Sequence, residues 1–278
     1  MLRPDLHTHT NRSDGALSPC ALVERALDKG ITHLAITDHD TISAYRELPP
    51  SELSMVPGIE LSTRWMKTGI HVVGLNLDVN HPLLRQGIET QQQARVERAR
   101  QIAARLQKLG IPDLLDEVTQ IAGTSTIGRP HFARVLVRHG HSKDMAAAFR
   151  KYLGNGKAGD VRQVWPSITD IIRLITEAGG TPVLAHPAGY KLTATKLREL
   201  VRDFCDAGGE AIEVVSGSQR PEVTKKLAAL AKDHDLSASC GSDFHHPGNR
   251  WSDLGQFPAL PADLTPVWEQ WNTIKPFA

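Results

Sequence analysis

A chain of 278 residues with 40% hydrophobic and 23% charged residues is a globular protein long enough for one large α/β unit or two ordinary domains. No run of eighteen apolar residues occurs, which excludes a membrane-spanning helix, and a formal net charge of +1 excludes a uniformly cationic, polyanion-binding surface. Three scattered cysteines, Cys20, Cys205 and Cys240, form no metal or redox motif, and no leader segment precedes the first histidine; both features point to a cytoplasmic location.

Seven short apolar runs read as strands, at residues 4–7, 33–37, 55–60, 71–75, 182–185, 211–215 and 237–240. Helices fit between several of them. Ser18 and Pro19 supply an N-cap and a first-turn proline for a helix that stops at Gly30. Ser167 and Asp170 form a capping box for a helix that stops at Gly179-Gly180. Residues 195–207 end at Gly208-Gly209, and residues 221–234 form a further helix. Strands alternating with helices predict an α/β fold with a mainly parallel sheet, here a closed and distorted barrel. Residues 81–160 interrupt the alternation. A long polar helix over 81–109 is followed by shorter ones over 113–122, 130–138 and 143–153. This stretch holds thirteen Lys/Arg against seven Asp/Glu, whereas the remainder holds nineteen against twenty-four. The chain therefore divides into a barrel, residues 1–80 and 161–278, and a basic helical insertion, residues 81–160, placed over the barrel mouth to hold an anionic substrate.

The chemistry-bearing residues gather at the predicted strand ends, where parallel α/β folds build their sites. His7 and His9, two residues apart, face the same side of a strand. Asp14, His39, Glu60, His186, Asp243 and His245 follow at or just after other strands. His71 instead begins its strand. The Lys67-Thr68-Gly69 turn accounts for this if strands 55–60 and 71–75 are antiparallel neighbours, returning His71 to the rim of Glu60. Six imidazoles and three carboxylates exceed the needs of one ion, and their mixed N and O donors suit two or three ions of the Mn, Zn or Fe type. Asp38 is left to support a ligand or its loop, and His33, His139, His141 and His234 to the core or surface.

In that order, His-x-His with Asp14, Thr37-Asp38-His39-Asp40, Gly58-Ile59-Glu60, a lone His71, Ala185-His186-Pro187 and Gly241-Ser242-Asp243-Phe244-His245 resemble the PHP (polymerase and histidinol phosphatase) phosphoesterases. The resemblance covers residues 1–80 and 161–250. It implies a distorted (β/α)7 barrel with three divalent ions, manganese first and zinc or iron as alternatives. By that resemblance His7, His9, Glu60 and Asp243 hold one ion, and Glu60 bridges to a second held by His71 and His186. Asp14, His39 and His245 hold a third. Asp243, His245 and His39 are also the implied catalytic positions.

Within the insertion, Gly128-Arg129-Pro130-His131-Phe132-Ala133-Arg134 resembles the substrate segment of small bacterial members that act on nucleoside 3′,5′-bisphosphates. Members of that group also trim short RNA from its 5′ end. Pro130 at a helix start leaves N–H groups free for an anion, and Arg129, His131 and Arg134 are the implied substrate-binding residues. His246, Arg250 and Trp251 follow the last motif as further pocket candidates outside this set. The implied reaction removes the 3′-phosphate to leave a nucleoside 5′-monophosphate and phosphate, or releases 5′-nucleotides from short 5′-phosphorylated RNA. No membrane or obligate protein partner is expected. Two alternatives stand beside it. A histidinol-phosphate type of phosphatase is disfavoured by the basic insertion, and a non-catalytic metal-binding module by the filled ligand set.

Overall fold

The computed structural model describes residues 2–48, 50–162, 164–248 and 252–277. The strands are β1 (Pro4–Thr8), β2 (His33–Ile36), β3 (Ser54–Met55), β4 (Gly58–Trp65), β5 (Thr68–Leu75), β6 (Thr181–Leu184), β7 (Ala211–Ser216) and β8 (Ser237–Gly241). The α-helices are α1 (Pro19–Asp28), α2 (Pro82–Gln107), α3 (Leu115–Ala122), α4 (Arg129–Arg138), α5 (Met145–Ala148), α6 (Ile168–Glu177), α7 (Ala194–Asp206) and α8 (Pro221–Asp233). No helix among the described residues is long and apolar enough to cross a membrane.

The ladders form two sheets, β1-β2-β3 and β4-β5-β6-β7-β8, in a mixed α/β fold. β1, β2 and β3 run parallel, as do β6, β7 and β8, while β4–β5 and β5–β6 are antiparallel. The antiparallel hairpin that His71 required is therefore present. The seven-stranded closed barrel is not. The two sheets meet at isolated bridges, Thr8 with Phe244 and His39 with Glu60, and no continuous ladder joins them among the described residues. One cause is Pro57, which has no N–H to give a ladder and splits the 55–60 run into β3 and β4. At that break the Tyr45 hydroxyl accepts the Gly58 N–H at 2.6 Å and donates to Ile36 O at 2.7 Å.

Local sequence explains the flanking helices. Ser18 accepts the Ala21 N–H and Gly30 leaves α1 with φ of 68°. Ser167 and Asp170 exchange bonds at the start of α6. Ile168, Ile171, Ile172 and Ile175 give α6 one apolar stripe that is buried on the sheet.

Helix α2 joins two cores. Leu84 enters the core of the sheets, whereas Ala99, Ile102, Ala103 and Leu106 pack with Val118, Phe132, Leu136 and Leu153 in a second cluster made of residues 99–161. Phe132 is fully buried there, a position where truncation to Ala costs about 3–5 kcal/mol. Between the two cores α2 is riveted by polar contacts: Gln91 donates to Ser62 O at 2.6 Å and Gln92 to Asp40 O at 2.7 Å. The predicted helix over 143–153 is shorter as an α-helix. It becomes α5 plus a π-helical turn, Phe149–Leu153.

Candidate metal centre and its cavity

The pleat of β1 turns His7 inward, and His9 follows on the same side just past the strand end; both are fully buried. On β4, Glu60 lies two residues from Ser62, whose register partner across the hairpin is His71. The antiparallel pairing thus carries Glu60 and His71 to one face. His186 and Asp243 follow β6 and β8 in the left-handed region, with φ of 27° and 53°. Such backbone is strained for residues with a side chain and persists only where surroundings impose it. Here the His186 N–H donates to Glu213 Oε2 at 2.5 Å and the Asp243 N–H donates to His7 O at 2.9 Å.

The nine predicted ligands come together around Glu60. Its Oε2 is 3.3 Å from both His7 Nε2 and His9 Nε2 and 2.9 Å from His39 Nδ1. Its Oε1 is 2.7 Å from His71 Nδ1 and 2.9 Å from His186 Nε2. Asp243 Oδ1 lies 3.4 Å from His9 Nε2 and 3.6 Å from His7 Nε2. Asp14 approaches His245 at 3.3 Å, His39 at 3.8 Å and His9 at 3.9 Å. Among the described residues, three groups can share an ion: His7, His9 and Glu60; His9, Asp14, His39 and His245; and His39, Glu60 and His71.

The charges interlock. Burial opposes ionisation of Glu60, but His39, His71 and His7 outweigh it and hold the carboxyl well below the usual range. Asp14 and Asp243 are held down in the same way, by His245 first among their neighbours. Burial and then His245 push His9 down to about 3, and burial pushes His71 to about 4 despite Glu60. His245 goes the other way, to about 10, because Asp14 and then Asp243 overcome its burial.

These residues fit metal ions. His9 Nδ1 is buried without a hydrogen-bond partner, and His39 Nδ1 and Glu60 Oε2, 2.9 Å apart, are buried without an aligned hydrogen bond, a costly arrangement unless a cation accepts their lone pairs. Two donors on one ion with ~2.1 Å bonds lie ~3.0–3.4 Å apart. The 3.1 Å between His7 Nε2 and His9 Nε2 and the 3.3 Å from each to Glu60 match that spacing.

Sequence reasoning missed Glu213. It is buried in the middle of β7, and its Oε1 is 2.7 Å from His7 Nδ1. That bond places the proton on Nδ1 and leaves Nε2 free to coordinate. A single acid inside the apolar run Ala-Ile-Glu-Val-Val was the available signal. Asp38 does what was anticipated for the loop: it accepts the Thr10 N–H at 2.8 Å and the Ser13 hydroxyl at 2.6 Å, ordering the approach to Asp14. Asp5, also fully buried, accepts the Ser242 and Gly255 N–H groups at 2.8 and 2.9 Å, and burial raises it to about 6.

A cavity of about 340 Å³ opens onto this cluster. Asp14, His39, His71 and His245 line one end, and Arg95, Arg98, Arg129 and Arg162 line the rest with Trp165. Arg95 is committed to the framework: Nε is 2.6 Å from Asp40 Oδ2, Nη2 3.1 Å from Ser62 Oγ and Nη1 3.0 Å from Ile127 O. Arg98 and Arg129 are held only from behind. Arg98 Nε donates to Val161 O at 2.8 Å and its guanidinium stacks 5.1 Å from the Trp165 ring centroid. Arg129 Nη1 donates to Leu153 O at 3.2 Å and its guanidinium lies 5.8 Å from the Phe149 ring centroid. Burial first, then mutual repulsion among these arginines, lowers the pKa of Arg98 and Arg129, which marks a strongly cationic wall.

His131 and Arg134 do not line this cavity. The His131 ring turns back as a cap, its Nδ1 accepting the Gly128 N–H at 3.0 Å, and Arg134 is exposed. His246 is exposed and also off the lining, while Arg250 and Trp251 lie outside the described residues. Arg95 and Arg98 had a readable signal. They fall in the stripe 84, 88, 91, 95, 98, 102 of α2, where a core-facing helix should be apolar.

Nine residues with nitrogen and oxygen donors, carried within strands or just beyond them and set beside an arginine-lined cavity, define a metal-binding α/β protein shaped to receive an anion. The family model described as PHP domain matches residues 5–154, and the chain belongs to that family. The chain is similar to an Escherichia coli (strain K12) protein named 5'-3' exoribonuclease Rnm, 45% identical over 274 residues, covering 96% of this chain and 93% of the relative. It is also 40% identical to a Chromobacterium violaceum protein named 3',5'-nucleoside bisphosphate phosphatase, covering 97% of this chain and 96% of that one. A solved Chromobacterium violaceum amidohydrolase, with bound sulfate and no metal, superposes with a TM-score of 0.86 at 39% identity over 96% of this chain and 95% of its own.

Proposed function

We propose that the chain is a phosphohydrolase that removes the 3′-phosphate of nucleoside 3′,5′-bisphosphates, yielding the 5′-monophosphate and phosphate. The observation that carries this reading is the two-ended cavity, with Asp14, His39, His71 and His245 of the metal-type cluster at one end and the guanidinium groups of Arg98 and Arg129 at the other. A substrate with one phosphate at each end matches it. Three divalent ions, manganese with zinc or iron as alternatives, would be held by His7, His9, Glu60 and Asp243, by Glu60, His71 and His186, and by Asp14, His39 and His245. When bound, such ions lower the pKa of water and neutralise phosphoryl oxygens.

The chain's own residues supply the register. Arg98 and Arg129 grip the 5′-phosphate through charge-assisted N–H bonds, and their aromatic stacking limits the entropy lost on binding. Holding that phosphate leaves the 3′-phosphorus against Asp243, His245 and His39, so remote binding energy orients the reacting centre. A 3′-phosphodiester in the same register would release a 5′-nucleotide from short 5′-phosphorylated RNA, in keeping with the name of the Escherichia coli relative. We assign residues 1–80 and 161–278 to a metal-binding unit, a distorted barrel whose seams are the two isolated bridges, and residues 81–160 to the phosphate-binding insertion. A cytoplasmic setting suits such a substrate.

The test is phosphate release by manganese-loaded protein from adenosine 3′,5′-bisphosphate, adenosine 3′-monophosphate and histidinol phosphate. Strong preference for the bisphosphate, with 5′-AMP as product, is the expected result. Equal or better turnover of histidinol phosphate would overturn the two-phosphate reading.

A further inference from the structure

The cavity does not end at Arg98 and Arg129. Asp160 and Arg162 are lining residues of it and also of an adjoining groove completed by Arg64, Met66 and Lys67. The groove shares none of the metal-type donors, so it continues the cavity from the arginine end, away from the cluster. Strand β5 serves as a ruler. His71 at the cluster and Gly69 beside Arg162 face the same side, ~7 Å apart, and Lys67 in the hairpin turn is ~13 Å from His71 along the chain. Arg162 is the junction. Its Nε donates to Asp160 Oδ1 at 2.5 Å and its Nη1 to Lys67 O at 2.7 Å. Asp160 is thereby neutralised, and no carboxylate among the described residues pairs with Arg64 or Lys67. Beyond the first phosphate site the wall therefore stays cationic and opens to solvent.

We propose that this groove is a second phosphate subsite, so that the protein also removes the 3′-phosphate from nucleotides carrying a 5′-diphosphate. The proposal rests on the reading given under Proposed function and extends it. The phosphoryl group next to the ribose stays on Arg98 and Arg129, and the outer one extends past Arg162 toward Arg64 and Lys67. Water adds across the P–O3′ bond: its oxygen joins the 3′-phosphorus, the 3′ oxygen leaves and takes a proton, and the 5′-diphosphate is unchanged.

The test compares adenosine 3′,5′-bisphosphate with adenosine 3′-phosphate 5′-diphosphate, and with an oligoribonucleotide bearing a 5′-diphosphate, on manganese-loaded protein. Release of 5′-ADP with kcat/KM within about tenfold of the bisphosphate reaction is expected. Lys67→Glu and Arg64→Ala should each lower the ratio of diphosphate to bisphosphate turnover at least about fivefold. Calorimetric binding provides the second readout: 5′-ADP should bind more tightly than 5′-AMP, and Lys67→Glu should erase the difference. Turnover of the bisphosphate alone, or a ratio unmoved by both substitutions, overturns this proposal and leaves the parent reading intact. Failure on every substrate removes both. Activity on the oligonucleotide but not the free nucleotide assigns the subsite to RNA ends, and the reverse assigns it to free nucleotides.

Discussion

The two ends of the cavity solve opposite problems. At the histidine end, lone pairs converge in excess, and the fold steadies them by setting imidazoles against three carboxylates whose ionisation those imidazoles sustain. At the arginine end, N–H donors converge in excess. There the fold steadies them with backbone carbonyls and aromatic faces, which orient a guanidinium without cancelling its charge. Carboxylates beside the imidazoles can turn to metal ions when these arrive. A carboxylate paired with Arg98 or Arg129 would compete with substrate, and the two cavity arginines that do have such partners, Arg95 with Asp40 and Arg162 with Asp160, are also tied to backbone carbonyls.

The comparison can be broken hardest at Glu60, which touches five imidazoles. Glu60→Ala should lower turnover by roughly a thousandfold or more, with loss of metal measured directly by elemental analysis. Retained metal and activity would mean that the cluster is not organised around this carboxylate. At the other end, Arg129→Ala or Arg98→Ala should raise KM for the bisphosphate by ~10–100-fold, the cost of a charged hydrogen bond, and leave an aryl phosphate nearly untouched. Equal losses on both substrates would erase the division of labour. A gentler probe is Glu213→Gln, which keeps an acceptor near His7 but no charge. Metal affinity by competition titration should fall ~10-fold, with the fold intact by circular dichroism.

The smallest effect concerns His131, where the expectation of substrate contact gives way to a capping role. Burial, then Arg134, holds this imidazole below its ordinary pKa, so the folded state keeps it neutral while the unfolded chain takes up a proton. Stability from this group is present above pH ~6.5 and is lost as pH falls below it. His131→Gln should shrink the stability difference between pH 7.5 and pH 5.5, read from urea midpoints.

The same asymmetry explains what could be read from the chain. Metal-type donors advertise themselves, because a histidine or acid at a strand end has few other reasons to be there, and the awkward position of His71 even demanded the hairpin that is found. Arginines give no such signal. Arg129 was legible from its place at a helix start and Arg98 only from its place in the α2 stripe that should be apolar, whereas Arg162 looks like an ordinary surface charge until the cavity is known. Glu213 was hidden for a related reason, since one acid within an apolar strand reads as an exposed exception. The open seams between the sheets were not legible either, because alternation of strands and helices constrains pairing order but not closure.

One consequence follows from the pairing of the first strand with the last motif. His9 N–H bonds to Phe244 O, Asp243 N–H to His7 O and Ala16 N–H to His245 O, contacts that close loops of well over two hundred residues. Contacts of that separation form late, after local helices and hairpins. During synthesis His7, His9 and Asp14 leave the ribosome first, yet their partners Asp243 and His245 emerge only after nearly all of the chain. A phosphohydrolase of this family thereby completes its donor cluster only when its first strand and its last motif have met.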